Sequence, residues 1–195
     1  MLFRSDDDFE RAFESIGRNC NNELDFIVHS IAGGANKSDL AGGFINTTRE
    51  GFIRSMEISV YSFIKALSLA VPMLKGRNAS ALTLTYFGSE KVIPNYNVMG
   101  AVKAALESSV RYLAAELGDD GIRVNALSPG PVLTKAASGL SDFRALLREF
   151  THKSPMKRTI EPEEIGKSAL YLLSALSSGV TGEVVHVDTG FNIIA

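Results

Sequence analysis

The chain has 195 residues, 45% of them hydrophobic and 22% charged, with a net charge of −2. That balance is ordinary for a globular chain with room for a sizeable core, and it excludes the basic footprint of a nucleic-acid binder. No apolar run approaches ~18 residues, so no membrane partner is expected. The acidic opening from Met1 to Asp8 lacks the order of a signal peptide, and Cys20, the single cysteine, fits a reducing, cytoplasmic setting without an internal disulfide.

In chain order, Ser5 to Arg18 predicts a helix, with Ser5 as cap, three acids in the first turn, and Phe9, Ala12, Phe13 and Ile16 at helical spacing. Leu24 to Ala32 is a nearly continuous run of β-formers suited to a strand covered on both faces. It stops at Gly33-Gly34, and a loop is expected as far as Asn46. Glu50 stands three residues after Thr47, a capping-box signature, and a long helix follows from about Thr48 to Leu74. The second strand covers Ala81 to Tyr86. A helix opened by Pro94 then runs to about Leu117, where Gly118 and Gly121 close it.

A third strand from Gly121 to Ser128 breaks at Pro129-Gly130-Pro131, and a loop rich in small residues covers 132–139. Helices are expected from Ser141 to Phe150 and, acids first, from Glu161 to about Leu176, with a last strand from Glu183 to Asp188. Strands joined by crossover helices require a parallel sheet. The fold class is therefore α/β, a doubly wound parallel sheet of Rossmann-like type, with residues 1–195 forming one domain. The apolar first strand belongs in the middle of a sheet, yet no earlier segment can pair with it. No glycine-rich strand-to-helix turn stands near the start to hold a pyrophosphate, so the domain is expected to be truncated on its N-terminal side.

The chemistry concentrates between Thr83 and Lys103. On a helix opened at Pro94, Tyr96 and Lys103 stand seven residues apart, about two turns and within roughly 20° of one face. Side chains lean toward the helix N-terminus, so the lysine stem tilts toward the tyrosine. A cation held near a phenol makes it a better proton or hydrogen-bond donor. Tyr86, at the carboxyl end of the preceding strand, comes near the same place, where open α/β folds bind their ligands.

With these residues in place, the chain resembles the NADH-dependent enoyl-[acyl-carrier-protein] reductases of type II fatty acid synthesis, a divergent branch of the short-chain dehydrogenases/reductases. The resemblance is carried by Asp25 to Ala32, Ser59 to Phe63, Leu82 to Tyr86, Pro94 to Gly100, Gly121 to Ala126, Ala136 to Gly139, Gly179 to Glu183 and Val187-Asp188. Ordinary members of the superfamily space their Tyr and Lys four apart; seven, with a second Tyr ten residues earlier, marks this branch.

The resemblance implies NADH/NAD as cofactor and reduction of the trans-2 double bond of enoyl chains carried by acyl carrier protein. It implies that Tyr96 hydrogen-bonds the thioester carbonyl, that Lys103 grips the nicotinamide ribose, and that Tyr86 lines the acyl pocket near the carbonyl. Ser30, Ile31 and Ala32 would pass close to the cofactor, and Pro131, Val132 and Thr134 would wall its nicotinamide. Met99, Leu140 and Phe143 would form part of the acyl channel, and the two long helices would build a homotetramer. The family's first strands, with the pyrophosphate loop and adenine pocket, have no counterpart here. The alternatives are therefore a piece of a working reductase, or a catalytically incompetent chain that at most joins oligomers of a longer relative.

The remaining features read as structural. The histidines at 29, 152 and 186 are too scattered for a metal site, and His29 and His186 fall inside strands as packing residues. Cys20 reads as an inert thiol, and Arg54, Glu57 and Lys65 as solvated charges. Ser128 and Ser138 lack a nucleophile elbow.

Overall fold

The computed structural model describes residues 5–132 and 143–194. Four parallel strands, β1 (Phe26–His29), β2 (Ser80–Leu84), β3 (Arg123–Pro129) and β4 (Val184–Val187), lie side by side in chain order. The register pairs His29 with Thr83, Leu84 with Leu127, and Pro129 with Val187, so the carboxyl ends of all four strands meet along one edge. That edge is where an open α/β sheet offers a binding crevice.

The helices are α1 (Asp6–Asn19), α2 (Lys37–Ala41), α3 (Arg49–Met56), α4 (Ser62–Leu74), α5 (Val98–Leu117), α6 (Phe143–Lys153) and α7 (Pro162–Leu173). Ser5 caps α1 by accepting from the Asp8 N–H. One face of the sheet packs on α4 and α5 through Phe63, Leu67, Leu74, Val102, Leu106 and Val124, with Phe9 and Phe13 of α1 joining the same core. The other face packs on α7, where Leu172 meets Leu82 and Leu127. Helices on both faces make the doubly wound layer that the alternating strands and helices require.

Several local expectations are corrected. The first strand is four residues rather than nine, and it stands at the described edge of the sheet, with Phe26 51% and Val28 44% exposed. The stretch read as loop contains α2 and a 3₁₀ turn, Phe44–Asn46. The cap of the following helix is Thr48, which accepts from the Gly51 N–H, not Thr47.

The helix from Arg49 to Leu74 is interrupted by a π-helical segment, Glu57–Tyr61, and half of its apolar window is buried. By length and composition it is long and apolar enough to cross a membrane, although it holds no uninterrupted apolar run of that length. Its inward residues, however, are those of a core helix packed on this sheet. Lys65 is no solvated charge either. Its Nζ lies 2.9 Å from Glu10 and 3.4 Å from Asp6, which docks α1 against α4.

Candidate active site

Tyr86 follows the last residue pairs of β2. The Thr85 N–H still reaches the Leu127 carbonyl at 2.8 Å, and Tyr86 is extended at the start of a 3₁₀ turn, Phe87–Ser89. The next residue, Phe87, is buried in an aromatic cluster with Phe150 and Phe191, whose rings stack at 4.5 Å. That cluster anchors the segment from one side. From the other, the Tyr86 ring meets the Tyr96 ring edge-on, with centroids 5.0 Å apart at 70°. Edge-on contact is the favoured meeting of two aromatic quadrupoles.

Tyr96 does not ride on a helix. Residues 94–97 form a turn with Asn95 at φ 62° and Asn97 at φ 37°, and α5 begins only at Val98. Asparagine tolerates positive φ better than other side-chain-bearing residues, so the two asparagines permit the turn that carries the phenol. The Asn97 side chain ties it down by donating to the Leu40 carbonyl of α2.

Close approach does the rest. A Cβ on Gly88 would stand 2.5 Å from the Tyr96 ring, and one on Gly100 would stand 2.7 Å from the Gly88 carbonyl. Glycine at both positions lets the Tyr86 segment lie directly against the first turn of α5. The two-turn spacing thus arises from a turn followed by helix, and the shared-face argument for Tyr96 and Lys103 does not hold.

Lys103, on α5, is 5% exposed, and its Nζ donates to the Leu84 carbonyl at 2.7 Å. Burial draws its pKa down from 10.5 to about 8, against the opposing charge of Glu107. Burial pushes Tyr86 up to about 12, and it holds Tyr96 still further above the ordinary phenol value, with Tyr86 and Glu107 adding to the effect. The expected lowering of the phenol by the ammonium is therefore not what the site does. Desolvation wins, and both phenols stay protonated at neutral pH. A neutral phenol pair beside a buried cation can donate hydrogen bonds and a positive field to an oxygen that gains negative charge.

His29 ends β1 beside this cation. Its Nε2 lies 2.8 Å from Ser62 Oγ and its Nδ1 3.1 Å from Thr83 Oγ1, so both ring nitrogens have a hydroxyl partner. Burial and then Lys103 lower its pKa to about 4, which keeps it neutral, in agreement with its reading as a packing residue. Beyond it, Ser30 and Ala32 are exposed and Ile31 half-buried. The Gly33 N–H donates to Ser59 Oγ at 3.0 Å, while Ser59 Oγ lies 3.2 Å from the Gly33 carbonyl, which pins this strip to the π-helical segment.

Pro131 is buried and Val132 half-buried past the end of β3. Met99 is 7% exposed within the main core, next to Tyr96. Thr134 and Leu140 lie outside the described residues; Phe143 opens α6, and its side chain does too. Sequence reading missed Glu107, which accepts from Thr85 Oγ1 at 2.5 Å and from Ser89 Oγ at 2.6 Å. Its signal was an acid four residues after the lysine. It also missed Asp39, fully buried, whose carboxylate accepts from the N–H groups of Asn36 and Thr48 and holds the segment around α2 together. Among the described residues no cluster of His, Cys, Asp or Glu could hold a metal ion.

Residues 3–192 match the family model described as "Enoyl-(Acyl carrier protein) reductase". The chain is 55% identical over 172 residues to "Enoyl-[acyl-carrier-protein] reductase [NADH] 1" of Rhizobium meliloti, covering 88% of this chain and 62% of that relative's length, just under two thirds. Among solved structures, the NADH enoyl-[acyl-carrier-protein] reductase of Aquifex aeolicus superposes with a TM-score of 0.94 at 46% identity, covering 98% of this chain and 74% of that one. The reductase of Anaplasma phagocytophilum in complex with NAD superposes with a TM-score of 0.91 at 43% identity, covering 98% and 70%.

Proposed function

The chain belongs to the enoyl-(acyl carrier protein) reductase family, and we propose that it serves the NADH-dependent reduction of the trans-2 double bond of enoyl thioesters on acyl carrier protein. The observation that carries this reading is the convergence of Tyr86, Tyr96 and Lys103 at the carboxyl edge of the sheet, with both phenols held protonated.

The residues present fit the nicotinamide end of the cofactor. The Lys103 ammonium has three N–H donors, of which one goes to the Leu84 carbonyl, leaving donors for ribose hydroxyls. The exposed Ser30 and Ala32 leave backbone open at the end of β1, and Pro131 and Val132 would wall the ring. When bound, NADH supplies the hydride. Tyr96 donates a hydrogen bond to the thioester carbonyl oxygen and stabilises the negative charge that gathers there as hydride reaches C3. Lys103, itself buried, adds positive potential. Tyr86 packs against Tyr96 and fixes its ring, and Met99 supports the same wall. Thr134, Leu140 and Phe143 complete the nicotinamide wall and acyl channel in this reading. Exposed Ile53 and Ile64 on the helix from Arg49 to Leu74 support a homo-oligomer built on that face, to be read by size-exclusion chromatography.

The test is NADH binding by fluorescence titration together with turnover of a crotonyl thioester. Tyr96→Phe is expected to lower kcat by about 10²-fold or more, the size seen when one oxyanion donor is removed. Lys103→Ala is expected to weaken NADH binding as well. Unchanged turnover in both variants would refute the assignment.

A further inference from the structure

We propose that His186 and Glu90 form a pH-sensitive latch on the segment that carries Tyr86, closed when the imidazole is protonated and open when it is neutral. Its meaning for catalysis rests on the reading of Tyr86 as part of the reducing site; the latch itself does not.

The contact joins two elements far apart in the chain. Glu90 closes the 3₁₀ turn that follows Tyr86, and His186 lies on β4. The Nε2 atom of His186 stands 3.0 Å from Glu90 Oε1, with the histidine side chain 19% and the glutamate 44% exposed. That nitrogen is buried, yet it makes no hydrogen bond to any described group. The absence of alignment decides the kind of contact. A neutral imidazole gains little from a carboxylate without an aligned N–H. An imidazolium gains from it through charge alone. The contact therefore stabilises the segment only while the ring carries its second proton. Histidine is the side chain that changes charge between pH 5 and 8, so the contact is made on the acid side of that range and lost on the alkaline side.

Glu90 has no rival for this role on the elements around the ring. The register partner of His186 on β3 is Ser128, which does not titrate. The Phe87 ring meets the imidazole edge-on at 6.1 Å, and Phe150 and Phe191 continue that cluster. Asp188, two residues further along β4, accepts from the N–H groups of Gly190 and Asn192. Glu107 of α5 is engaged by Thr85 and Ser89, and Arg158, after α6, by Glu164. Helix α7 lies across the sheet, against Val185 and Val187.

The Tyr86 segment thus has three anchors: its two hydroxyls on Glu107, the Phe87 ring in its cluster, and Glu90 on His186. Only the third contains a histidine. With it closed, the turn after Tyr86 is tied to β4; with it open, that turn is freer to lift, and the Tyr86 ring with it.

The experiment measures amide hydrogen exchange in the full chain at about pH 5.5 and about pH 8, read as protection factors so that the intrinsic pH dependence of exchange drops out. The reporters are the N–H groups of Ser89, Glu90 and Lys91, which donate to the carbonyls of Tyr86 and Phe87 at 2.9, 3.0 and 3.1 Å. His186→Gln and Glu90→Gln are each compared with the parent. At about pH 5.5 the parent is expected to exceed both variants in protection by about two- to fivefold, the worth of a partly exposed ion pair. At about pH 8 the ratio is expected to return to about one. A ratio that is the same at both pH values overturns the proposal, as does one that is larger at pH 8. Should His186→Gln fail to fold, Glu90→Gln at its exposed position carries the same test. None of these readouts needs substrate or cofactor. A parent chain inactive on enoyl thioesters that still shows the pattern would overturn the reductase reading and leave the latch standing; an active chain without the pattern would do the reverse.

Discussion

Lys103 makes the stability of this protein depend on alkaline pH in a way that can be worked through. Its folded pKa of about 8 lies below the unfolded value of 10.5. Between those values the unfolded chain binds more protons than the folded one, so unfolding free energy rises with pH. At neutral pH the fold carries the full cost of burying the ammonium, about 3 kcal/mol at 1.36 kcal/mol per pH unit. The 5% exposure of the side chain leaves little solvent screening to discount. Of that cost, about 2 kcal/mol should be recovered between about pH 7.5 and about pH 10.

The assay is urea denaturation of the parent and of Lys103→Met at both pH values, taking the difference of differences so that other titrating groups cancel. With an m-value of about 2 kcal/mol/M, the parent midpoint should gain about 1 M relative to the variant. Parallel pH dependence in the two proteins would refute the claim that the buried group is a depressed lysine. A steeper loss for the parent at high pH would reverse its sign.

Other outcomes follow from the same geometry. Tyr96→Phe should cut turnover while leaving the melting temperature nearly unchanged, since only a hydroxyl is removed. Gly88→Ala should destabilise by about 1–3 kcal/mol and depress activity together, because the added methyl meets the Tyr96 ring at 2.5 Å and the ring must move; wild-type kinetics would show that the ring is not held where the structure puts it. Asp39, whose pKa is lowered chiefly by the backbone N–H groups of Thr48 and Asn36, should contribute stability above the ordinary carboxylate pKa that is lost as pH falls through its depressed value. Asp39→Ala should therefore unfold at lower urea and show a flatter acid limb, which circular dichroism would follow.

Hydrophobic period and helix-breaking residues are enough to place α1, α7, β3, β4 and the end of α5 within a few residues, because those elements end at Gly, Pro or polar turns. The first strand is four residues rather than nine because continuous apolarity marks a strand without fixing where its ladder with β2 stops. The start of α5 was misplaced for a related reason. Proline suits a helix N-terminus and a turn alike, and the positive φ of Asn95 and Asn97 is imposed by the contacts of that turn.

At the site, the sequence by itself determined which groups were available: two tyrosines and a lysine at a spacing that marks one family, on a chain whose strands and helices must form a parallel sheet. Only the tertiary structure decided their state. Whether a cation near a phenol lowers its pKa, or burial raises both phenols and depresses the cation, turns on how much water the fold removes. Here the core formed by α4, α5 and the sheet buries Lys103 and leaves the two tyrosines half-buried. Desolvation scales with three-dimensional enclosure, so no reading of residue spacing could supply it, nor show that Glu107, a plain acid on a helix, closes around Thr85 and Ser89 to oppose it.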